Sequence, residues 1–249
     1  MQTILITGAN GTIGRALVKH LKTSYKLIAV DKAFDVTDTD LYNNVEIKVL
    51  NLDQAESWGN LFEGVDYIIH LAGNPSPQAT FDELVQPNFY IPHYLFENVT
   101  TAPHVKRIIY ASSIHAAANY PLDRQIKVDD TPRPTSYYGI SKLYMEHLAN
   151  YYAYHFQIES IGIRIANYVG EDETIEWKHQ VSQLAEILDY KDFNHLIDCC
   201  LTAQIQEPAI VINGISNHAI PRLDLETARQ LVNYQPSYDA FSEYLDVSQ

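Results

Sequence analysis

Cysteine is nearly absent from this chain: Cys199 and Cys200 are the only two in 249 residues. They are neighbours in a predicted helix, where adjacent side chains do not face each other, so no structural disulfide is expected. So few thiols are typical of a reducing compartment, and we expect a cytoplasmic protein. The sequence also lacks a basic leader and any apolar run approaching ~18 residues, so we expect neither secretion nor a membrane span.

Basic residues are scarce as well, with 17 Lys and Arg against 31 Asp and Glu and a net charge of −14. Nucleic-acid binding requires clustered Lys and Arg that neutralise phosphates, so no nucleic-acid partner is expected. None of the 10 histidines forms an H-x-x-x-H pair or lies near a C-x-x-C, so no metal site is expected either. With 46% hydrophobic and 19% charged residues, the composition is that of an ordinary globular domain.

The chain does contain a regular alternation of short apolar runs, rich in Ile and Val, with longer helical stretches. The predicted strands are Gln2–Thr7, Lys26–Val30, Val45–Leu50, Asp66–Leu71, Arg107–Ala111, Ser160–Ile165 and Ala209–Asn213. The predicted helices are Thr12–Lys22, Ala55–Phe62, Phe81–Val99, Tyr138–Phe156, one around Asp192–Ala203, and Asp224–Val232. This alternation indicates an α/β fold with a doubly wound parallel sheet of the Rossmann type. Because no long linker interrupts it, we expect one domain over residues 1–249, with residues from about 168 onward contributing a small substrate-binding lobe.

The glycine-rich segment TGANGTIG, residues 7–14, follows the first strand and opens the first helix. In such a loop Gly8 permits the tight turn, Gly11 lets the backbone approach a pyrophosphate, and Gly14 lets the helix pack closely on the strand. The N-terminus of the helix would offer N–H groups and a positive dipole end to the phosphates. The loop therefore predicts a dinucleotide site. The residues predicted to contact it are Gly8, Asn10, Gly11, Thr12, Ile13 and Gly14.

Asp31 ends the second strand, 17 positions after Gly14. A carboxylate there accepts hydrogen bonds from both hydroxyls of an adenosine ribose and repels a 2′-phosphate, which favours NAD over NADP. Lys32 follows directly and would offset part of that repulsion. NAD is therefore the predicted cofactor, and the extent of NADP use is left open.

Tyr138 and Lys142 form a Tyr-x-x-x-Lys pair, which places both side chains on one face of the helix that follows the fifth strand. A tyrosine hydroxyl is a poor base at neutral pH unless cations stabilise its phenolate, and a Lys ammonium together with a nicotinamide ring would do so. Ser113 lies just past the fifth strand, where the carboxyl ends of the strands open onto the cofactor crevice. These three residues are the predicted catalytic set.

Together these motifs resemble the extended short-chain dehydrogenase/reductases, the NAD-dependent epimerase/dehydratase group. The resemblance rests on TGxxGxxG, the acidic end of the second strand, and the segments Asn-Leu-Asp (51–53), His-Leu-Ala-Gly (70–73), Tyr-Ala-Ser-Ser (110–113) and Tyr-Gly-Ile-Ser-Lys (138–142). The implied cofactor-binding positions are Leu52 and Asp53 at the adenine, Leu71, Ala72 and Gly73 along the cofactor, Asn88, Tyr138 and Lys142.

Within that group the chain looks most like the uronate dehydrogenases. The similar segments are Ser-Ser-Ile-His (112–115), Arg-Pro-Thr-Ser-Tyr-Tyr-Gly-Ile-Ser-Lys (133–142) and Arg-Ile-Ala-Asn (164–167). This resemblance implies that His115 and Asn167 contact a sugar substrate, with Ser76 as a further candidate.

The sequence departs from the uronate dehydrogenases in two places. Ile114 stands where that type carries an asparagine. The arginine that would bind a substrate carboxylate has no counterpart, and the nearest alignment gives Ser182, with Lys178 and His179 close by.

The resemblance implies an NAD-dependent oxidoreductase that transfers hydride between nicotinamide and a carbon of a sugar or sugar acid, with Tyr138 as the acid/base. Two alternatives stay open. A nucleotide-sugar epimerase or dehydratase would use the same site with recycled NAD, although only residues 143–249 would remain to enclose a nucleotide diphosphate. A non-catalytic NAD-sensing regulator would be expected to have lost Tyr138 or Lys142. By analogy with such folds, we expect a homodimer through helices Phe81–Val99 and Tyr138–Phe156.

Overall fold

The computed structural model describes residues 1–34, 40–173 and 180–244. In these ranges the strands are β1 Thr3–Thr7, β2 Lys26–Asp31, β3 Glu46–Val49, β4 Tyr67–His70, β5 Arg107–Ser113, β6 Glu159–Ile165, β7 Asn167–Val169, β8 Ile187–Asp189 and β9 Ala209–Gly214. The α-helices there are α1 Thr12–Leu21, α2 Phe81–Leu84, α3 Ile91–Val99, α4 Tyr137–Phe156, α5 Val181–Leu184, α6 Tyr190–Thr202, α7 Glu226–Val232 and α8 Ala240–Tyr244.

Seven of these strands form one parallel sheet in the order β3-β2-β1-β4-β5-β6-β9. The doubly wound parallel sheet predicted from the sequence is therefore confirmed. The strand order reverses at β1, because β2 pairs with one side of it and β4 with the other. In such a sheet a crevice opens at the carboxyl ends of the two strands where the order reverses.

The sheet is buried on both faces, as expected for parallel strands that are nearly continuous apolar runs. Along β1, Ile4 and Ile6 belong to one core and Leu5 to the other, which is the period-two alternation of a strand. The first core includes residues of α1, α6 and α7. The second includes Phe96 of α3 and Met145 of α4. α1 and α4 therefore approach the crevice from opposite faces of the sheet.

The segment predicted as one helix, Phe81–Val99, is divided into three parts. α2 ends at Leu84, a π-helical stretch covers Val85–Tyr90, and α3 begins at Ile91. The interior residue Pro87 has no N–H to donate and its ring crowds the preceding turn, so a regular α-helix would be strained there. The wider π-helical turn accommodates it.

The predicted helix Ala55–Phe62 is wrong in extent. Only a 3-10 turn forms, Ala55–Trp58, and it stops at Gly59, whose φ of −16° and ψ of −100° are not helical. Trp58 is fully buried and its Nε1 donates to the carbonyl oxygen of Leu52 at 2.9 Å. The turn thus fixes the backbone of Leu52, one of the predicted adenine-contacting residues.

The chain after Ile165 adds small elements that the sequence pattern did not predict. β7 and β8 form a separate two-stranded parallel sheet. Leu184 of α5, Ile187 of β8 and Phe241 of α8 share a small apolar cluster. Each of these elements spans only three to five residues, too few for periodicity to be recognised. Within the described ranges, no helix is long and apolar enough to cross a membrane.

Candidate active site

A cleft of about 1140 Å³ lies at the carboxyl ends of the strands, where the strand order reverses. Its walls come from the loops after β1 and β4 and from the N-terminal ends of α1 and α4. The predicted site residues that line it are Gly8, Asn10, Gly11, Thr12, Ile13, Gly14, Asp31, Leu52, Asp53, Leu71, Ala72, Gly73, Ser113, His115, Tyr138, Lys142 and Asn167. Two other predicted residues, Ser76 and Asn88, do not belong to its lining.

The glycine loop lies closer to the sheet than other residues would allow. Gly8 has a left-handed φ of +71°, and a Cβ there would lie 2.8 Å from the backbone nitrogen of Ala72. A Cβ on Gly14 would lie 2.1 Å from the carbonyl oxygen of Gly8, so α1 starts directly against the loop. The residue before α1, Gly11, provides no side-chain cap. The N–H groups of the first helical turn are therefore left for a ligand in the cleft.

The carboxylate of Asp31 is held at the edge of the cleft by backbone donors. Its Oδ2 accepts a hydrogen bond from Asn10 N at 2.9 Å, and its Oδ1 accepts one from Lys32 N at 2.7 Å. The Asn10 side chain is itself fixed, because its Oδ1 accepts a hydrogen bond from the Tyr42 hydroxyl at 3.1 Å. Asp31 thus places a negative charge beside the glycine loop. Lys32, which also lines the cleft, places a positive charge next to it.

The three residues predicted as catalytic, Tyr138, Lys142 and Ser113, line this same cleft. Tyr138 and Lys142 lie one turn apart in α4, and the Nζ of Lys142 is 5.4 Å from the centroid of the Tyr138 ring. The same Nζ donates to the carbonyl oxygen of Ala111 at 2.9 Å, which fixes the ammonium against β5. Ser113 ends β5, and its buried Oγ accepts a hydrogen bond from His115 N at 3.2 Å. A hydroxyl, a phenol and an ammonium therefore surround one space.

The N-terminus of α4 is fastened to the 3-10 turn Ile114–Ala116. Ser136 caps the helix, its Oγ accepting a hydrogen bond from Gly139 N at 3.2 Å. A Cβ on Gly139 would lie 2.1 Å from the carbonyl oxygen of His115, so only glycine lets the two segments meet. The His115 ring stands edge-on to Tyr138, with centroids 5.9 Å apart. Burial lowers the pKa of His115, which favours its neutral imidazole beside the phenol.

Asn88 lies behind the cleft wall. It is buried, and its Oδ1 accepts a hydrogen bond from Asn74 N at 2.7 Å. Its Nδ2 donates to the carbonyl oxygen of Asn74 and to the Oγ of Ser141, each at 3.0 Å. The side chain therefore ties the loop after β4 to α4. Ser76 lies in the same loop but outside the lining, although the prolines on either side of it belong to the lining.

Comparisons with known proteins place the chain in a family. The model of the NAD dependent epimerase/dehydratase family matches residues 4–193. The chain belongs to this family. An NAD-dependent glucose-6-phosphate dehydrogenase from Haloferax volcanii is 29% identical over 94% of this chain and 93% of its own length. A uronate dehydrogenase from Pseudomonas putida is 30% identical over 94% of this chain and 89% of its own. Among solved structures, a uronate dehydrogenase from Agrobacterium tumefaciens matches with a TM-score of 0.86 at 26% identity, covering 100% of this chain and 90% of that one.

At one end of its cleft, this epimerase/dehydratase family member has side chains that the sequence analysis missed. Tyr168, Glu173 and Gln183 line the cleft together with the predicted Asn167. Within the described part of the chain, the Tyr168 hydroxyl and the Gln183 Oε1 are buried without a hydrogen-bond partner. The Nδ2 of Asn167 donates to the Oε2 of Glu186 at 3.3 Å, and burial raises the pKa of that carboxyl. No sequence motif marks this group of polar residues.

The positions that depart from the uronate dehydrogenases are only partly described. Ile114 lines the cleft. Ser182 is exposed and does not belong to the lining. Lys178 and His179 lie outside the described residues.

His70 is buried at the end of β4, directly before the loop that lines the cleft. Its Nδ1 lies 2.7 Å from the Oγ1 of Thr7, and its Nε2 has no hydrogen-bond partner among the residues described. Burial, with a smaller contribution from the charge of Lys142, lowers the pKa of His70 to about 3. The folded protein therefore holds this imidazole neutral.

His70 should make the protein less stable in mild acid. The pKa of His70 is lower in the folded state than the unperturbed 6.5, so the unfolded protein binds a proton there first as the pH falls. The contribution of His70 to the free energy of unfolding is therefore complete above pH 6.5 and is lost as the pH falls toward 3. Between pH 7 and pH 5 the loss should be about 2 kcal/mol. In urea unfolding, His70→Asn should show a pH-dependent loss smaller than that of the wild type by about this amount. The exposed His104→Asn is the control and should behave as the wild type; an equal loss in all three proteins would contradict the prediction.

Proposed function

We propose that this chain is an NAD-dependent oxidoreductase that transfers hydride between nicotinamide and a carbon of a sugar or sugar acid. The observation that carries the proposal is a single cleft lined by the glycine loop and Asp31 and also by Tyr138, Lys142 and Ser113. The names of the relatives support it, since one is an NAD-dependent glucose-6-phosphate dehydrogenase and another a uronate dehydrogenase.

The residues on the glycine-loop side of the cleft fit a dinucleotide. The uncapped first turn of α1 after Gly11 offers N–H groups to a pyrophosphate. The carboxylate of Asp31 would accept hydrogen bonds from the adenosine ribose, and Leu52 and Asp53 would contact the adenine. Residues 71–73 would run along the cofactor toward its nicotinamide. When bound, NAD supplies the acceptor for the hydride.

The residues on the α4 side would handle the proton and the oxygen of the substrate. Tyr138 accepts the proton of the substrate hydroxyl, and Ser113 donates a hydrogen bond to the same oxygen. The Nζ of Lys142, 5.4 Å from the ring centroid, stabilises the phenolate by its charge. Lys142 would also bind the nicotinamide ribose, and Asn88 would support this end of the cofactor by fastening the loop after β4 to α4.

NAD should bind at least about 10-fold more tightly than NADP. A 2′-phosphate would meet the fixed carboxylate of Asp31, and one unfavourable contact of about 1.4 kcal/mol gives that factor. Titration of each nucleotide by quenching of tryptophan fluorescence measures both affinities. Asp31→Asn should reduce this difference in affinity, because the variant should bind NAD more weakly and NADP more tightly. Equal affinities in the wild type would show that Lys32 outweighs Asp31, against this assignment.

Removing the phenolic oxygen should abolish turnover without releasing the cofactor. Tyr138→Phe should reduce kcat by about 10²–10⁴-fold while NAD affinity is maintained. Lys142→Met should lose both turnover and NAD affinity, because its ammonium is assigned to phenolate and ribose alike. Tyr137→Phe is the matched control, since its ring is 58% exposed and outside the cleft lining. If Tyr138→Phe keeps more than about a tenth of wild-type activity, the mechanism is wrong.

The substrate is proposed to be a free sugar or sugar acid, with weak discrimination between the two. His115 and Asn167 would contact its hydroxyls. Among the described residues that line the cleft, the Lys and Arg side chains are Lys32, near Asp31, and Lys142. Glu173 also lines the cleft and adds a negative charge that acts on Tyr168. A sugar carboxylate therefore gains no bidentate arginine contact from this lining. The charge-assisted hydrogen bonds of such a contact are worth roughly 1.5–3 kcal/mol each.

NADH absorbance across aldoses, polyols, uronates and nucleotide sugars should show oxidation of free sugars and uronates with kcat/KM values within about 100-fold of each other. Glu173→Gln should raise kcat/KM for a uronate several-fold more than for the neutral aldose, because it removes a like charge. Turnover confined to nucleotide sugars would overturn the proposal in favour of an epimerase or dehydratase. A larger uronate preference would show that Lys178 or His179 replaces the arginine.

We propose a cytoplasmic location for this activity. Both cysteines are free and buried. Unpaired thiols of this kind are typical of proteins in a reducing compartment.

We also propose a homodimer formed through α4. The side of this helix that faces away from the sheet carries Tyr137, Ile140, Tyr144 and Tyr151, which follow each other at intervals of three, four and seven residues. Tyr137, Ile140 and Tyr151 are 58%, 46% and 49% exposed. A stripe of large apolar and aromatic side chains on one helix face is typical of a surface that a second copy covers.

Ile140→Glu should convert the dimer to a monomer, because a charge buried at the interface would have no partner. Size-exclusion chromatography with light scattering should give twice the chain mass of 28.3 kDa for the wild type and the single mass for the variant. Leu122→Glu introduces the same charge at a loop residue outside α4 that is 73% exposed, and it should leave the dimer intact. A wild-type chain that elutes as a monomer would contradict the proposal.

A further inference from the structure

Glu146, Arg164 and Ser112 form a buried polar cluster that the proposed mechanism does not use. Two hydrogen bonds join the ion pair: Arg164 Nη2 donates to Glu146 Oε2 at 2.9 Å and Arg164 Nε donates to Glu146 Oε1 at 3.0 Å. The hydroxyl of Ser112 donates to the same Oε1 at 2.5 Å. The three residues are 8%, 3% and 2% exposed, respectively. Water therefore has almost no access to the pair.

This cluster joins α4 and β5, which carry the proposed catalytic groups, to β6, which ends two residues before Asn167. Its carboxylate comes from α4, one turn beyond Lys142 and on the same helix face. Its hydroxyl belongs to the residue directly before Ser113 in β5. Its guanidinium comes from β6, three residues before Asn167.

A buried ion pair is weak evidence for stability, because the cost of removing both charges from water can equal their attraction. An apolar pair of similar volume often holds a fold equally well. What the bidentate contact between guanidinium and carboxylate adds is a defined geometry between the elements that carry them. Catalysis depends on this geometry, since a displacement of a reacting group by about 1 Å can lower the rate by about 100-fold.

We propose that Glu146 is a positioning residue: through Arg164 and Ser112 it fixes α4 against the ends of β5 and β6, and so sets the phenol of Tyr138 relative to the hydroxyl of Ser113. This inference rests on the proposed function, which assigns the catalytic roles to those two groups. It assigns a role to Glu146 and Arg164, which take part in neither the proton transfer nor the hydride transfer.

The opposite charges of Glu146 and Arg164 allow a test that loosened packing alone would not pass, because removing one or the other should have opposite effects on the titration of Tyr138. The charged or titratable groups that face Tyr138 are Lys142 of α4 and His115 of the 3-10 turn, with His70 of β4 beside Lys142. The carboxylate of Glu146 lies two turns further along α4, about 12 Å away by helical rise, and the guanidinium neutralises it. Removing one partner leaves a net charge there, and the sign of that charge depends on which partner is removed.

The test follows the ring-carbon NMR signal of Tyr138, identified by its loss in Tyr138→Phe, through a pH titration without substrate. Glu146→Gln leaves the guanidinium unpaired and should move the midpoint to lower pH, because a positive charge stabilises phenolate. Arg164→Met leaves the carboxylate unpaired and should move the midpoint to higher pH. The double variant is neutral and should have the same midpoint as the wild type.

Turnover then separates positioning from charge. Both single variants and the double variant should lose about 10-fold or more in kcat, while the affinity for NAD changes less than about twofold. Arg107→Met is the control, because Arg107 is itself buried and makes a partly exposed ion pair with Glu159 at the opposite ends of the same two strands, β5 and β6. It should keep both the midpoint and the kcat of the wild type.

Midpoints that stay unchanged, or that move in the same direction in both single variants, would overturn the proposal. So would a double variant that keeps more than roughly half of the wild-type kcat. If the single variants fail to fold, the double variant and Arg107→Met decide the question by their kcat values. A wild type that oxidises no sugar would overturn the proposed function instead. The titration requires no turnover and would still show whether the charges of the pair act on Tyr138.

Discussion

The candidate site depends on one constraint: parallel strands all end at the same edge of a sheet, and the chain leaves that edge in opposite directions where the strand order reverses. The crevice at β1 and β4 is therefore a property of the topology, before any particular side chain lines it. Gly8 and Gly14 let α1 start in contact with the loop after β1, and Gly139 lets α4 start in contact with the turn after β5. Two helix ends thus reach one cleft, one with free N–H groups suited to phosphates and the other carrying Tyr138 and Lys142.

The electrostatic character of the cleft differs between the parts that would hold cofactor and sugar. Asp31 is fixed by two backbone N–H groups, and the ammonium of Lys142 is fixed by a backbone carbonyl. The lining also includes Asn167, the carboxylate of Glu173 and the amide of Gln183. An anionic dinucleotide can be bound through the N–H groups of a helix start, whereas the described lining offers a sugar carboxylate no arginine. This contrast is the physical basis for expecting weak discrimination between aldoses and uronates.

Features that follow from the spacing of residues along the chain could be predicted from the sequence. Features that depend on individual tertiary contacts or on very short elements could not. The parallel sheet followed from apolar runs, and the shared helix face of Tyr138 and Lys142 followed from their spacing of four. Asn88 was predicted at the cofactor, and this stays a prediction; that its amide bonds to the loop after β4 and to Ser141 depends on tertiary contacts that the sequence does not show. Tyr168 and Gln183 were missed because they belong to elements of three and four residues, which carry no periodic signal.

Direct transfer of hydrogen from the sugar to the nicotinamide is the central claim, and isotope transfer tests it most directly. The enzyme would be incubated with NAD and a sugar that it oxidises, carrying deuterium on all its carbons, and the reduced cofactor would be analysed by NMR. We predict one deuterium at C4 of the nicotinamide ring of NADH, with turnover slower than for the unlabelled sugar. Reduced cofactor that contains no deuterium, or a labelled sugar that is isomerised while NAD is returned unchanged, would contradict the assignment of this chain as a sugar dehydrogenase.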